Sequence, residues 1–161
     1  MIFNIFLILI ISFMPLKNNF IEKKYIHTFV SNEISDNVNK ELNVKSSLQT
    51  IYGNLTGYGP DCIGCSGRTS SGYNVTNTIY YYDNEYGNVR ILASDPSIPL
   101  GSIVKVSGMR NEDPFFAIVL DRGGDVGYGR LTLFDLLFPS ENDTYNVGIQ
   151  QVRYDIYRYG Y

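Results

Sequence analysis

Two aspartates occupy hydrophobic settings in which a carboxylate needs either a partner or a task. Asp121 ends the apolar run FFAIVLD, and Asp135 lies in the middle of a second run, LTLFDLLF, beyond a glycine-rich loop. Aspartate is depleted in strands and costly to bury alone. When two carboxyl groups lie close together, the more desolvated one keeps its proton to a higher pH. We therefore expect Asp135, between Phe134 and Leu136, to be a protonated general acid suited to a glycosidic oxygen.

The other acidic residues near these runs have simpler interpretations. Asp121 adjoins the flexible loop, so we expect it to be more solvated and to orient or polarise its partner. Asp95, in ASDPSIPLG, either starts an Asp-Pro turn or is a third member of the site. Asp125 follows Asp121 in the glycine-rich loop without a hydrophobic strand to position it, and is expected to face solvent.

Few other side chains offer catalytic or metal-binding chemistry. The single histidine, His27, is far in sequence from the aspartates, so the residue on which most triads and zinc sites depend is missing. Cys62 and Cys65 form one C-x-x-C, but a structural zinc site needs two further ligands. In an exported protein a local disulfide is the better interpretation of this pair. We expect no metal and no cofactor.

The composition indicates a β-rich domain that does not bind nucleic acid. The formal net charge of -3 provides no basic excess for a phosphate backbone. The chain has 14 Tyr, 9 Phe and 15 Gly, which favours short strands and turns. Tyrosines such as Tyr58 offer flat faces for sugar rings, although most are expected to be packing residues. Gly123 and Gly124 would let the backbone approach a ligand, although turns explain most glycines.

The chain divides into three parts by composition. Residues 1–16 are nearly all apolar but shorter than a bilayer span, which predicts a signal peptide or a retained membrane anchor. Residues 17–50 are rich in Lys, Asn, Glu and Ser and predict a polar spacer with one short helix at most. Residues 51–161 carry the strand and turn signals of a single folded domain.

Six strands and one short helix are predicted in that domain, after a short leading strand near residue 51. Six or seven short strands separated by turn signals are typical of a closed barrel or a sandwich. Ser140 is expected to cap a short helix within residues 140–148. The predicted strands are 77–82, 89–93, 102–106, 115–120, 131–138 and 151–157.

Four ordered motifs support a family resemblance. The segments TGYGPDCIGCSGRTSSG, ASDPSIPLGSIVKV, AIVLDRGGDVG and LTLFDLLF follow one another between residues 51 and 161. Together they resemble the three-aspartate (3D) domain of bacterial cell-wall proteins. That domain is a double-psi β-barrel related to the catalytic barrel of MltA-type lytic transglycosylases, and more distantly to RlpA-like and expansin-like barrels.

The resemblance implies roles for residues across these motifs. The family's catalytic aspartate falls on Asp135, and the aspartate of its D-x-G-G motif falls on Asp121, followed by Gly123 and Gly124. The aspartate of its D-P motif falls on Asp95, with one residue fewer here between Pro96 and Ile98. Its small Thr/Ser-Gly segment, which faces the sugar cleft, falls on the stretch that contains Thr69, Ser71 and Gly72. The interval between Asp121 and Asp135 is somewhat longer than in better-known members, and A-I-K-G is replaced by residues 125–129, so the lysine is missing.

The implied activity is cleavage of the β-1,4 bond between N-acetylmuramic acid and N-acetylglucosamine without water, which leaves a 1,6-anhydro end. The expected partner is therefore peptidoglycan, and the expected location is outside the bacterial cell, secreted or held by the N-terminal anchor. The alternative is a non-catalytic glycan-binding or wall-loosening barrel, and a third interpretation is a structural or protein-binding wall component. Hydrolysis with Asp121 as the second carboxylate also stays open.

Overall fold

The computed structural model describes residues 45–161, of which Ser46–Tyr161 form one compact unit. The predicted leader and all but the last residues of the predicted spacer lie outside the described residues. No helix within residues 45–161 has the length and apolar character needed to cross a bilayer. The elements in chain order are β1 (Gln49–Tyr58), β2 (Tyr80–Asp83), β3 (Gly87–Ser94), β4 (Ile103–Ser107), β5 (Phe115–Arg122), β6 (Phe134–Leu137), α1 (Glu141–Thr144) and β7 (Gln150–Arg158).

Six of the strands close into a barrel. The hydrogen-bonded order is β3-β5-β4-β7-β1-β6, and a further pairing of β6 with β3 closes the ring. Among the described strands, β2 pairs only with β3 and lies outside the ring as an extra strand. The prediction of an all-β fold with six or seven strands and at most one short helix is therefore confirmed.

The strand pairings repeat with internal symmetry. β1 runs parallel to β6, and β5 runs parallel to β3, whereas the other four contacts of the ring are antiparallel. If β1, β3 and β4 are exchanged with β5, β6 and β7 respectively, every pairing of the ring maps onto itself or onto another pairing of the same sense. Two interlocked halves of this kind make a double-psi barrel, the fold that the family resemblance implied.

The barrel wall is buried on both of its faces. Alternate residues of β5 point in opposite directions, so Ala117 and Val119 join the interior core while Ile118 and Leu120 join a second, outer cluster. Tyrosines from the 58–86 segment, among them Tyr58 and Tyr81, cover that outer cluster. A strand buried on both faces reads as a continuous apolar run, which explains the unbroken hydrophobic stretch before Asp121.

Several boundaries differ from the sequence prediction. The leading strand is longer than expected, since β1 spans Gln49–Tyr58. The strand predicted at 131–138 contracts to Phe134–Leu137, because Leu131 is exposed and belongs to the preceding loop. The short helix is present as predicted, and the Ser140 hydroxyl accepts a hydrogen bond from the Asp143 backbone amide at 3.3 Å.

A buried ion pair joins the extra strand to the barrel. Asp83 is 7% exposed, and the Arg158 guanidinium Nη2 lies 2.6 Å from its Oδ2. Burial alone would raise the pKa of Asp83, but hydrogen bonds from Arg158 and from the amides of Glu85 and Tyr86 outweigh it and lower the pKa. A carboxyl group whose pKa falls on folding contributes stability above its unfolded pKa.

We expect Asp83→Asn to lower the free energy of unfolding by about 3 kcal/mol at neutral pH, because it leaves the Arg158 charge without its main partner. The difference from wild type should shrink as the pH falls through the pKa of Asp83, since the wild-type carboxylate then becomes protonated. Urea unfolding at several pH values measures it. Glu85→Gln, at a 3.6 Å contact with the same arginine, is the control and should cost less than about 1 kcal/mol. An equal loss in the two variants would contradict this account.

Candidate functional site

The barrel register brings the two predicted carboxylates to the same level of the wall. On β3, Ala93 pairs with Asp121 of β5 on one side and with Asp135 of β6 on the other. Two strand spacings therefore separate the aspartate Cα atoms, or about 10 Å. Phe134 and Leu136 face the interior core, so Asp135 between them faces outward. The site lies on the outer face of the wall rather than inside the barrel.

Asp135 is a half-buried carboxyl group with one hydrogen-bonded oxygen. Thr56 is its register partner on β1, and the threonine Oγ1 donates to Asp135 Oδ1. No described residue hydrogen-bonds to Oδ2. Burial raises the pKa of Asp135, the Thr56 hydrogen bond opposes that rise, and the charge of Glu141 adds to it. The net effect favours the protonated form, as a general acid requires.

Asp121 has both of its oxygens engaged. Its Oδ1 accepts hydrogen bonds from the Ser70 and Arg122 amides, each at 2.8 Å, and its Oδ2 accepts from the Tyr58 hydroxyl at 3.0 Å. Three donors therefore occupy the carboxyl group of Asp121. Asp121 is therefore built to hold neighbouring groups in place.

Tyr58 connects the two acidic positions. Burial raises the pKa of its hydroxyl, and the charge and hydrogen bond of Asp121, with the charge of Asp135, raise it further. The phenol therefore stays neutral and donates to Asp121. Its backbone carbonyl also accepts from the Phe138 amide at 2.9 Å, which holds the end of β1 to the chain that leaves β6.

Asp121 also anchors the predicted sugar-facing turn at residues 69–72. The Ser71 amide donates to the Leu120 carbonyl at 3.2 Å, beside the Ser70 contact to Asp121. Thr69 is 4% exposed, and its Oγ1 lies 2.9 Å from Ser71 Oγ and accepts from the Tyr73 amide at 3.1 Å. Thr69 therefore shapes the turn, whereas Ser71 and Gly72 are exposed beside it.

Asp95 lies at a different place and holds a loop. Its Oδ1 accepts from the Ser97 amide at 2.8 Å, and its Oδ2 accepts from the Tyr128 amide at 3.0 Å. The Ser97 side-chain hydrogen bond, with the backbone amides and the Arg122 charge, outweighs burial and lowers the pKa of Asp95. A Cβ on Gly127, where φ is 128°, would lie 1.8 Å from Oδ2, so only glycine fits there. Asp95 makes the turn considered from sequence and also ties down the loop at Tyr128.

The predicted glycines after Asp121 form the start of that loop. The Gly123 amide lies 3.4 Å from the Ser94 carbonyl, and a Cβ there would approach Val126 to 2.8 Å. Gly124 is exposed, with open space around its Cα. The side chain of Asp125 is also exposed. Neither glycine makes a described contact with Asp135, so a role for them in substrate binding stays a prediction.

Sequence reasoning missed two residues that affect Asp135. Thr56 lies in the TGYG motif, but only the β1–β6 register reveals that it faces the aspartate. Glu141 begins α1, and its Oε2 accepts from the Gly59 amide at 2.8 Å. A Cβ on Gly59 would lie 2.0 Å from the Glu141 nitrogen, so this glycine lets the helix start approach the end of β1. The Ser140 cap was the available signal for Glu141.

The C-x-x-C closes a loop next to this contact. Cys62 and Cys65 form a disulfide with their Cα atoms 5.1 Å apart. Asp61 accepts a hydrogen bond from the Glu141 amide at 2.6 Å, which links the loop to α1. Among residues 45–161 no three His, Cys, Asp or Glu side chains are grouped as they would be around a metal ion.

Comparison with known proteins finds two relatives in Bacillus subtilis (strain 168). The SPbeta prophage-derived uncharacterized protein YorM is 36% identical over 135 residues, which cover 81% of this chain and 51% of that protein. The protein described as "Putative cell wall shaping protein YabE" is 33% identical over 102 residues, which cover 63% of this chain and 21% of that protein. No family model matches the chain. The chain thus spans about half the length of the first relative and a smaller part of the second.

The raised pKa of Asp135 predicts a pH-dependent cost to folding. A carboxyl group whose pKa rises on folding binds more protons in the folded state, so stability falls as the pH climbs from the unfolded pKa to the folded one. Asp135→Asn keeps an oxygen that can accept the Thr56 hydrogen bond but cannot titrate. We therefore expect the variant to lose this pH-dependent decrease in stability, so that its melting temperature rises relative to that of wild type as the pH rises. Thermal unfolding from about pH 3.5 to pH 8 measures the difference. Asp125→Asn is the matched control, and a difference for Asp135→Asn that is flat with pH would contradict the assignment.

Proposed function

We propose that this barrel is a lytic transglycosylase that cleaves the glycan strands of peptidoglycan. The observation that carries the proposal is the environment of Asp135. This carboxyl group is half-buried, its pKa is raised, one oxygen is held by Thr56, and the other is free of described partners. A single carboxylic acid of this kind is sufficient for a transglycosylase, because that reaction needs a proton donor but no activated water.

The reaction needs one proton transfer from Asp135 to the leaving group and one from the attacking hydroxyl back to Asp135. Asp135 donates its proton to the glycosidic oxygen as the bond from that oxygen to muramic C1 breaks. The 6-hydroxyl oxygen of the same muramic residue then bonds to C1, and its proton passes to the Asp135 carboxylate. The acid is regenerated, no water is consumed, and the product carries a 1,6-anhydro ring.

The state of Asp121 supports this reaction over hydrolysis. A hydrolase needs a second carboxylate that is free to activate water or to attack the sugar. Asp121 already accepts hydrogen bonds from Ser70, Arg122 and Tyr58. We assign it the role of a positioning residue, which holds the residue 69–72 turn and the Tyr58 phenol beside the acid.

The choice of peptidoglycan as substrate rests on similarity. One relative is described as a "Putative cell wall shaping protein". The four motifs, two of which contain Asp121 and Asp135, resemble a cell-wall domain. A wall substrate also implies export, either as a secreted protein or on an N-terminal anchor.

The activity predicts a specific product. Purified protein incubated with peptidoglycan should release muropeptides with 1,6-anhydro ends, detected by mass spectrometry, and should incorporate no oxygen from heavy-oxygen water. Asp135→Asn should lower the rate by about a thousandfold or more, since loss of the acid removes proton transfer to the leaving group.

Asp125→Asn, an exposed aspartate of the same glycine-rich loop, is the matched control and should cleave as wild type does. Heavy oxygen at the new reducing ends would convert the assignment to hydrolysis. Binding of peptidoglycan without any release, by wild type and Asp135→Asn alike, would replace the enzyme with a glycan-binding module.

The Thr56 hydrogen bond predicts a shift in the pH profile. Because Thr56 lowers the pKa of Asp135, Thr56→Val should raise that pKa. The rate of a general acid falls as the pH rises above its pKa, so the alkaline limb of kcat/KM should move to higher pH in the variant. We also expect kcat/KM to fall by about tenfold at the optimum, since the acid is less firmly oriented. An unshifted alkaline limb would show that Asp135 does not set it.

A further inference from the structure

A groove lies along β1, before the position of Thr56, the hydrogen-bond partner of Asp135. It encloses about 280 Å³ between the first half of β1 and the loop that precedes β6. The residues that line it and bear on its chemistry are Tyr52, Asn54, Tyr128, Arg130, Leu131 and Gln151.

The groove continues the site along β1. Side chains two residues apart on a strand share a face, so Tyr52 and Asn54 face outward with Thr56, the partner of Asp135. Asn54 lies about 7 Å and Tyr52 about 14 Å from Thr56 along the strand. An extended polymer whose scissile bond lies at Asp135 would therefore pass over Tyr52 if it followed β1.

The lining has the side chains that bind carbohydrate. Tyr52 is 68% exposed and Tyr128 is 51% exposed, so both rings present large apolar surface to solvent beside amide groups. Exposed aromatic surface next to a few polar groups suits the apolar face and hydroxyl rim of a sugar ring. Leu131, at 70% exposure, extends the same surface.

Arg130 adds a positive charge to this surface. Its side chain is exposed and makes no hydrogen bond or ion pair with any residue of the described segment. A cation without a carboxylate partner at the edge of a binding groove favours an anionic group on the ligand. A guanidinium is planar, and its fork of N–H donors can bind a carboxylate through two hydrogen bonds.

The groove is held in shape before any ligand arrives. The Tyr128 amide donates to Asp95, the Gly127 amide donates to the Thr132 carbonyl at 2.9 Å, and Asn54 Nδ2 donates to the Leu131 carbonyl at 2.8 Å. The loop therefore has little conformational freedom to lose on binding, which favours affinity. Asp95 supports the groove through its hydrogen bond to the Tyr128 amide and does not line it.

We infer that this groove is a secondary binding site for the glycan strand. Tyr52 and Tyr128 hold a sugar ring beyond the cleaved bond, and Arg130 pairs with a carboxylate of the acidic stem peptide. The inference rests on the proposed function for its substrate class, and it assigns to this chain a preference for strands that carry acidic stems over neutral glycans.

Binding measured without cleavage tests the groove separately from the acid. In an Asp135→Asn background, titration calorimetry compares a soluble peptidoglycan fragment that carries acidic stems with a neutral β-1,4-linked N-acetylglucosamine oligomer. Tyr52→Ala with Tyr128→Ala should weaken binding of both probes by about tenfold. Arg130→Gln should weaken only the acidic probe, by about threefold at low salt and less at high salt.

Matched controls and activity separate the possible outcomes. Tyr145→Ala, an exposed tyrosine outside the groove, and Lys105→Gln, a charge on β4, should leave both affinities unchanged. If wild type releases anhydro products but the groove variants bind and cleave as the controls do, the inference is wrong and the proposed function stands. If Arg130→Gln weakens both probes equally, the assigned stem contact is wrong. If neither probe binds and wild type releases no product, both the function and the groove assignment fail.

Discussion

Closure of the barrel through β3 is the constraint on which the rest of the structure depends. β3 pairs with β5 on one edge and with β6 on the other, so one residue, Ala93, sets the level of both aspartates. A shift of one residue in either pairing would turn the affected side chains to the opposite face. The site therefore exists only when the ring is closed in this register. An irregularity between Leu92 and Ala93 in the β3–β5 pairing lets Asp121 face outward with its neighbours.

The same closure explains how the protonated form of Asp135 is favoured on an outer surface. Asp135 lies in a wall whose outer face is itself covered by tyrosines and by the start of α1, so it is partly removed from water without entering the core. Burial and the charge of Glu141 favour the protonated form, and the Thr56 hydrogen bond limits the effect. Asp121 has the opposite environment, since three donors surround it. Two aspartates of similar sequence context therefore differ in their hydrogen bonding because their tertiary neighbours differ.

Asp121 and Asp95 each position a different loop. Asp121 joins the 69–72 turn to the wall, whereas Asp95 joins the turn after β3 to the loop that carries Tyr128. Gly127 makes the second junction possible, because any side chain at that position would overlap the Asp95 carboxylate. Carboxylates that accept backbone amides in this way fix loops without a hydrophobic core of their own. The loops around the acid are thereby held in place by the barrel.

Much of the fold and part of the site were open to prediction from the amino-acid order. Continuous apolar runs and the turn residues between them indicate short strands buried on both faces, and Ser140 indicates the one short helix, because these signals are local. The unusual position of Asp135 is also visible in the chain itself, since a carboxylate between Phe134 and Leu136 conflicts with burial. The ends of the strands were harder to predict. Leu131 continues an apolar pattern but belongs to a loop, where its carbonyl accepts a hydrogen bond from Asn54 on another strand.

The sequence by itself determined the strand-forming segments, the all-β class and the hydrophobic setting of Asp135, because propensity and burial cost belong to individual residues and their neighbours in the chain. Only the tertiary structure decided that Thr56 and Glu141 act on Asp135, that Asp121 is fully engaged, and that Asp95 supports a groove. Those facts arise from contacts between residues far apart in the chain, which exist only once the barrel has closed in one register.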